Sequence, residues 1–206
     1  MTTDKETISQ TVPDAEALGR ASQLKIWDET GKQVEFGSVF ADKRTIVVFI
    51  RHFFCGICQE YVKALGQVSE DDLRSANVKI VVIGCGEWHL IENYKKTTSC
   101  DHSIYADNSR TLYRALGMTV ETLKGTPADE KPKSYVPANM LGNALRSIWG
   151  GLQHPSHIGK QGNFSQLGGD FVLGPGLTCS FAHRMVHTQD HVEVEDLLKA
   201  AGMHTP

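Results

Sequence analysis

Thr45-Ile46-Val47-Val48-Phe49-Ile50-Arg51-His52-Phe53-Phe54-Cys55-Gly56-Ile57-Cys58-Gln59-Glu60 is the stretch that decides the fold. Its first six residues are apolar or β-branched without a break, and such a run reads as a strand buried on both faces in the middle of an α/β sheet. Gln59 to Val68 reads helical, with Val62, Leu65, Tyr61 and Val68 facing inward. The two cysteines stand at the junction. A thiol attacks as its thiolate, and free N–H groups and the dipole at a helix N-terminus favour that anion. Cys58 lies within one helical turn of Cys55, so it can resolve a mixed disulfide there without large motion. Position 57 keeps an N–H that proline would remove. Gly56 and Ile57 are therefore expected to tune the thiolate, and the extra donor to ease reduction of the disulfide.

A second central strand is expected over Val78 to Gly84 and a short one over Ser103 to Ala106. Upstream, Leu24 to Trp27 and Gln33 to Phe36 read as strands around a turn at Glu29 to Lys32. Ser69 is a good N-cap for a helix over Glu70 to Ala76, and Glu87 to Thr98 reads as another. A helix from Asp107 or Asn108 to Leu116 stops at Gly117. A loop spans Thr119 to Pro137. Met140, Leu141, Ala144, Leu145, Ile148, Trp149 and Leu152 then form one helical stripe, readable as core, pocket lining or dimer seam. Phe171 to Leu173 and Leu177 to Ala182 flank Gly174-Pro175-Gly176 as a hairpin. The last helix is expected to start at Asp190, with Glu193 completing a capping box. Residues 1–20 read as a mobile tail carrying one short helix around Asp14 to Arg20, and residues 21–206 as one domain.

This order predicts an α/β thioredoxin-like fold: a central mixed sheet flanked by helices, with N-terminal strands and a helical insert before the final β-hairpin and helix. The chain has 206 residues, 40% apolar and 22% charged, with a formal net charge of −3. No basic run could follow a phosphate backbone, so no nucleic-acid partner is expected. No apolar stretch nears the roughly 18–20 residues that span a bilayer, so no membrane partner is expected either. The polar start, Met1-Thr2-Thr3-Asp4-Lys5, lacks a secretory h-region, and the expected location is cytoplasmic. In a reducing compartment five unevenly spaced cysteines are free, catalytic or metal-bound more often than structural. A lone C-x-x-C also reads as half a zinc site, for which His183, His187 and His191 are the available partners. No metal is expected.

Phe49 to Glu60 resembles the signature of the AhpC/TSA-like, peroxiredoxin-like family, which includes prostamide/prostaglandin F synthase and AAED-type thioredoxin-like proteins. Val82-Ile83-Gly84-Cys85-Gly86, Ile104-Tyr105-Ala106-Asp107, Leu112 to Gly117, Gln166 to Phe171, His183-Arg184 and Asp190-His191 match as well. The resemblance covers residues 24 to 200. It implies a redox-active pair carried by Cys55 and Cys58, with electrons relayed from an external dithiol of the thioredoxin or glutathione type and no bound cofactor. Two departures stand out. Val48 and His52 occupy the positions of the Pro and Thr that precede a peroxidatic cysteine, which argues against fast hydrogen-peroxide turnover. The cis-proline of thioredoxins falls at Gly168-Gly169-Asp170, which moves the expected substrate from protein disulfides toward a small molecule.

Arg51 can lower the Cys55 pKa or orient a peroxide oxygen, or it is a solvated strand-end charge. His52 can act as a general acid, or is structural. Strand alternation puts the two on opposite faces. Cys85 reads as a second resolving thiol or a small buried hydrophobe. Cys100 and Cys179 read as structural. Trp88, Trp149 and Phe54 read as pocket or core. Gly168 and Gly169 either bring the backbone close to the cysteines or form a plain turn. The expected activity is thiol-dependent reduction of an O–O or S–S bond of a small-molecule substrate through a Cys55/Cys58 dithiol–disulfide cycle, in a protein that can form a homodimer. The alternatives are a non-redox isomerase or lyase and a redox-inert binding module.

Overall fold

The structure, a computed structural model, describes residues 9–137 and 159–203. The stripe from Met140 to Leu152, with Trp149, lies outside the described residues. Seven strands form one sheet: β1 (Lys25–Trp27), β2 (Gln33–Glu35), β3 (Arg44–Phe49), β4 (Val78–Gly84), β5 (Ser103–Ala106), β6 (Gly169–Leu173) and β7 (Cys179–Arg184). Their spatial order is β2-β1-β5-β4-β3-β6-β7. β3, β4 and β5 run parallel; β1, β2, β6 and β7 join antiparallel. The mixed sheet expected from the element order is present.

Alternation along the central strands explains the two cores. Ile46 and Val48 of β3, Ile80 and Val82 of β4 and Val172 of β6 face one way. They meet α2 (Gly56–Leu65), α3 (Glu70–Ser75), α4 (Ile91–Thr98) and α6 (Val194–Ala200). Val47, Phe49, Val81, Ile83, Phe171 and Leu173 face the other way, toward α1 (Ala15–Ser22) and α5 (Thr111–Ala115). Every residue from Ile46 to Ile50 is fully buried, and each such side chain contributes about 1.5–3 kcal/mol through burial. A continuous apolar strand is what two-sided coverage requires.

Local signals set most helix ends. Ser69 accepts from the Asp72 N–H, with Glu70, Asp71 and Asp72 in the first turn of α3. Gly117, at φ +83°, ends α5.

Two expectations are corrected. The folded unit begins before residue 21: Asp14 caps α1, and Leu18 and Ala21 of that helix sit in the second core. An amphipathic turn with an apolar face to bury does not remain a tail. The last helix starts at Val194, not Asp190. The Asp190 carboxylate instead accepts the Val186 N–H and meets His183, while Glu193 accepts from the Ser134 N–H and hydroxyl. Tertiary partners outcompete the local capping pattern. The hairpin is present, with β6 beginning two residues earlier than its apolar run and β7 lying two residues later than its own.

The loop after α5 is tied down by a short antiparallel contact. Glu121 bridges Gln166, Thr122 donates to the Ser165 carbonyl and Leu167 donates to that of Val120.

Candidate active site

The site forms where β3 ends. Ile50 still donates to Ile83. The chain then leaves the strand: Cys55 N–H closes a turn onto the His52 carbonyl, and Phe53 N–H donates to the Gln161 carbonyl. α2 begins directly, with Cys55 as its N-cap. Because β3 stops at Phe49, strand alternation does not reach Arg51 and His52: Arg51 turns to the Cys55 sulfur, and His52 packs against Phe164.

Cys55 is 4% exposed and Cys58 fully buried, both as free thiols. The Cys55 sulfur accepts the Cys58 N–H at 3.4 Å and an Arg51 Nη1–H at 3.5 Å. The Cys55 pKa is lowered to about 6. The Cys58 thiol, hydrogen-bonded to that sulfur, is the main cause; burial opposes it, and the charge of Arg51 and the Cys58 N–H add to it. Burial and the shared hydrogen bond push Cys58 the other way, well above the usual thiol range. One sulfur is thus a thiolate near neutrality and its neighbour keeps its proton, which is the division of labour between an attacking and a resolving thiol.

The backbone donor to the thiolate is the N–H of Cys58, not that of Ile57. An N-cap side chain bonds the N–H two or three residues on, and here the sulfur takes the one three residues on. Ile57 is half-buried against the main core, as is Phe54.

Arg51 is 7% exposed, so it is no solvated strand-end charge. Its Nη2 donates to the Phe164 carbonyl at 2.6 Å, fixing the guanidinium beside Cys55. The Cys85 thiol donates to the Arg51 carbonyl at 2.9 Å, and burial pushes its pKa up to about 12. Cys85 therefore anchors the loop rather than offering a second thiolate. His52 is buried, and desolvation with the charge of Arg51 lowers its pKa to about 3. Its ring is edge-on to Phe164, centroids 4.8 Å apart. Phe164 itself is half exposed and forms the outer lip.

Gly168 and Gly169 form no plain turn: Gly169 opens β6, and the atoms nearest a Cβ on either belong to Phe49, Ile50, Met118, His183 and Arg184. A Cβ on Gly168 would stand 1.7 Å from the Phe49 carbonyl oxygen, and one on Gly169 would stand 2.5 Å from that of His183. These glycines let β6 close on β3, with Gly169 opposite Phe49, and so hold the strand end that carries the site. Trp88 lies away from it, over the turn at Gly31.

The three histidines weighed as zinc partners part company. His183 and His187 gather around Asp190, with Glu130 joining His187. His191 turns to Asp170. Glu130, His187 and Asp190 are the one group of possible metal ligands among the described residues. The His187 Nδ1 accepts the Gln189 N–H there, which places the ring proton on Nε2, facing Glu130. That is a hydrogen-bonded cluster, and neither Cys55 nor Cys58 belongs to it.

Sequence reasoning passed over Tyr94 and Phe164, weighed His191 only as a zinc partner and placed Asp170 only at the position of the cis-proline. Asp170 carried a signal, since a carboxylate within an otherwise apolar strand needs a buried partner. Five buried side-chain atoms lack hydrogen-bond partners among the described residues: Arg51 Nε, His52 Nδ1, Tyr61 OH, Tyr94 OH and His191 Nε2. Tyr94 feels the charge of both cysteines, and His191 acts on Cys55. Three of these five groups, Arg51, Tyr94 and His191, therefore lie around the two sulfurs, where a core would normally exclude unpaired polarity.

Comparison with known proteins bears on this arrangement. The family described as AhpC/TSA antioxidant enzyme matches residues 65–187, a span that opens at the end of α2, after the cysteines. Peroxiredoxin-like 2C of Mus musculus is 36% identical over 183 residues, covering 88% of this chain and 79% of that protein. Prostamide/prostaglandin F synthase of Danio rerio is 29% identical over 188 residues, covering 89% and 86%. Among solved structures, peroxidoxin BcpB from Mycobacterium tuberculosis superposes with a TM-score of 0.58 at 11% identity, covering 87% of this chain and 91% of that one. The last likeness is one of fold, and it is the thioredoxin-like fold expected from the element order.

Proposed function

The chain belongs to the AhpC/TSA antioxidant-enzyme family, a thioredoxin-fold family of thiol-dependent redox proteins, and on that premise we propose that it reduces an O–O or S–S bond of a small-molecule substrate through a Cys55/Cys58 dithiol–disulfide cycle. The observation that carries the reading is the opposed behaviour of the two thiols at one helix N-terminus.

A pKa of about 6 leaves Cys55 roughly 90% ionised at pH 7, against about 3% for an ordinary thiol near 8.5. The thiolate attacks one atom of the O–O or S–S bond, and the other atom departs with the bonding pair and takes a proton. Arg51, already on the sulfur, supplies positive charge where the attacking and leaving atoms meet. His52 is neutral in the folded protein and shapes the wall rather than carrying a transferable charge. Cys58 then displaces the group left on Cys55 and closes the disulfide. An external dithiol of the thioredoxin or glutathione type restores both thiols.

The exposed Phe164 lip above a nearly closed sulfur favours a compact substrate over a folded protein. Cys55→Ser is expected to abolish turnover of organic peroxides and disulfides, and Cys58→Ser to accumulate a covalent adduct on Cys55 visible by intact mass. Unchanged turnover in Cys55→Ser would refute the proposal.

A further inference from the structure

Cys58 has to lose a proton before it can resolve the adduct, and its burial makes that unfavourable. In the reduced protein its thiol is engaged with the Cys55 sulfur. Once Cys55 carries an adduct, that anion is gone and another acceptor is needed.

The unpartnered groups near the cysteines differ in what they can accept. Tyr61 and Tyr94 are phenols whose protons burial holds firmly. Arg51 is a donor. His52 lies beside Arg51, whose charge opposes an added proton. His191 is arranged differently. Its Nδ1 lies 2.9 Å from Asp170 Oδ1, and both side chains are fully buried. Asp170 Oδ2 accepts the Val192 N–H at 2.9 Å, which fixes the carboxylate. A carboxylate on Nδ1 holds the proton there and leaves the Nε2 lone pair open, and it compensates the imidazolium formed when Nε2 is protonated. Nε2 has no partner. The ring lies flat on Tyr61, centroids 4.4 Å apart, and Tyr61 follows Cys58 by three residues on α2. Asp170 stands on β6 opposite Val48, on the face of the sheet that α2 covers.

We propose that Asp170 and His191 form a buried carboxylate–imidazole pair in which His191 Nε2 takes the Cys58 proton during resolution and Asp170 is the positioning residue. The proposal rests on the Cys55/Cys58 cycle above. In that step the Cys58 sulfur bonds to the Cys55 sulfur, and the bond from Cys55 to the hydroxyl, alkoxyl or thiol group X breaks. The pair of electrons leaves with X, and the proton held on His191 goes to X. The sum is Cys55–S–X plus Cys58–SH giving the disulfide plus HX. The substrate consumed in the first attack is the oxidant, and no further one is required. The groups facing His191 are Asp170 from β6, Tyr61 from α2, and Tyr135, whose hydroxyl donates to the His191 carbonyl, and His191 is close enough to the cysteine pair to act electrostatically on Cys55. Asp190 and Glu193 lie on its own segment.

The test is stopped-flow reaction of the reduced full-length chain, in a Cys179→Ser background, with dithio-bis-nitrobenzoate. The first aryl thiolate released reports attack by Cys55, and the second reports displacement by Cys58. His191→Gln and Asp170→Asn are each expected to slow the second release by about 100-fold, the scale of a lost general base, and the first by less than about threefold. In the unaltered protein the second rate is expected to fall short of the tenfold rise per pH unit that deprotonation of Cys58 by solvent hydroxide would give. A second release unchanged in both folded variants, or both releases slowed alike, would overturn the proposal. Should the variants not fold, the unaltered protein decides: a second rate climbing tenfold per pH unit into the alkaline range has no internal base. No second release at all from the unaltered protein would refute the cysteine cycle itself.

Discussion

Removing the charge of Arg51 tests how the thiolate is made. Arg51 Nη1 sits 3.5 Å from the Cys55 sulfur, and both groups are nearly buried. At that distance and an effective dielectric of about 20, a full charge pair is worth about 5 kcal/mol. The whole lowering of Cys55, from 9.0 to about 6, corresponds to about 4 kcal/mol and is shared, with the Cys58 thiol first. The share of Arg51 is therefore about 1–2 pKa units, within the range for an opposite charge at this distance. Arg51→Met, which keeps the buried volume, is expected to move the Cys55 pKa from about 6 to between about 7 and 8. The thiolate fraction at pH 7 then falls from about 90% to between about 50% and 10%. The assay is the rate of alkylation by a haloacetamide followed across pH, with the modified cysteine identified by peptide mass. An inflection that stays near pH 6 would refute the assignment of Arg51 as a thiolate-stabilising charge.

Other perturbations read the remaining contacts. Cys58→Ala removes the largest cause of the Cys55 shift, so its alkylation inflection is expected above that of Arg51→Met; an inflection below it would show that the order of causes is wrong. Gly168→Ala puts a Cβ against the Phe49 carbonyl and is expected to cost about 3 kcal/mol or more, a fall in Tm of at least about 6 °C by calorimetry. His52, held neutral to about pH 3 when folded but protonated below about 6.5 when unfolded, makes the folded state bind fewer protons between those values. Stability then falls as pH drops through that window, by up to about 1.4 kcal/mol per unit. His52→Leu is expected to flatten that slope in urea titrations, and an unchanged slope would show that the imidazole is not held neutral.

The parts of the fold visible in the sequence are those where local pattern and burial agree. Ile46 to Ile50 read as a two-sided strand because both faces are in fact covered. Cys55 read as a helix-mouth nucleophile because strand, turn and helix follow one another within a dozen residues. Arg51 read as a thiolate partner for the same reason. What stayed hidden depends on distant pairings. Asp170 and His191 lie 21 residues apart, and neither position is marked by period or capping. Asp190 looked like a helix cap because Glu193 follows at the right spacing, but His183 and the Val186 N–H claim its carboxylate. The Tyr113 hydroxyl, whose one proton lies between the carbonyls of Ile50 and Ile83, holds two central strand ends from a third element and leaves no mark in the sequence.

The central claim is that Cys55 and Cys58 are a working redox couple. Equilibrating the full chain in a series of thiol/disulfide buffers, quenching by alkylation and weighing the intact protein and its peptides measures this directly. The account predicts one two-electron transition confined to Cys55 and Cys58, with a midpoint between about −300 and −150 mV, the range of working oxidoreductases. No Cys55–Cys58 disulfide at any point in the series would contradict it.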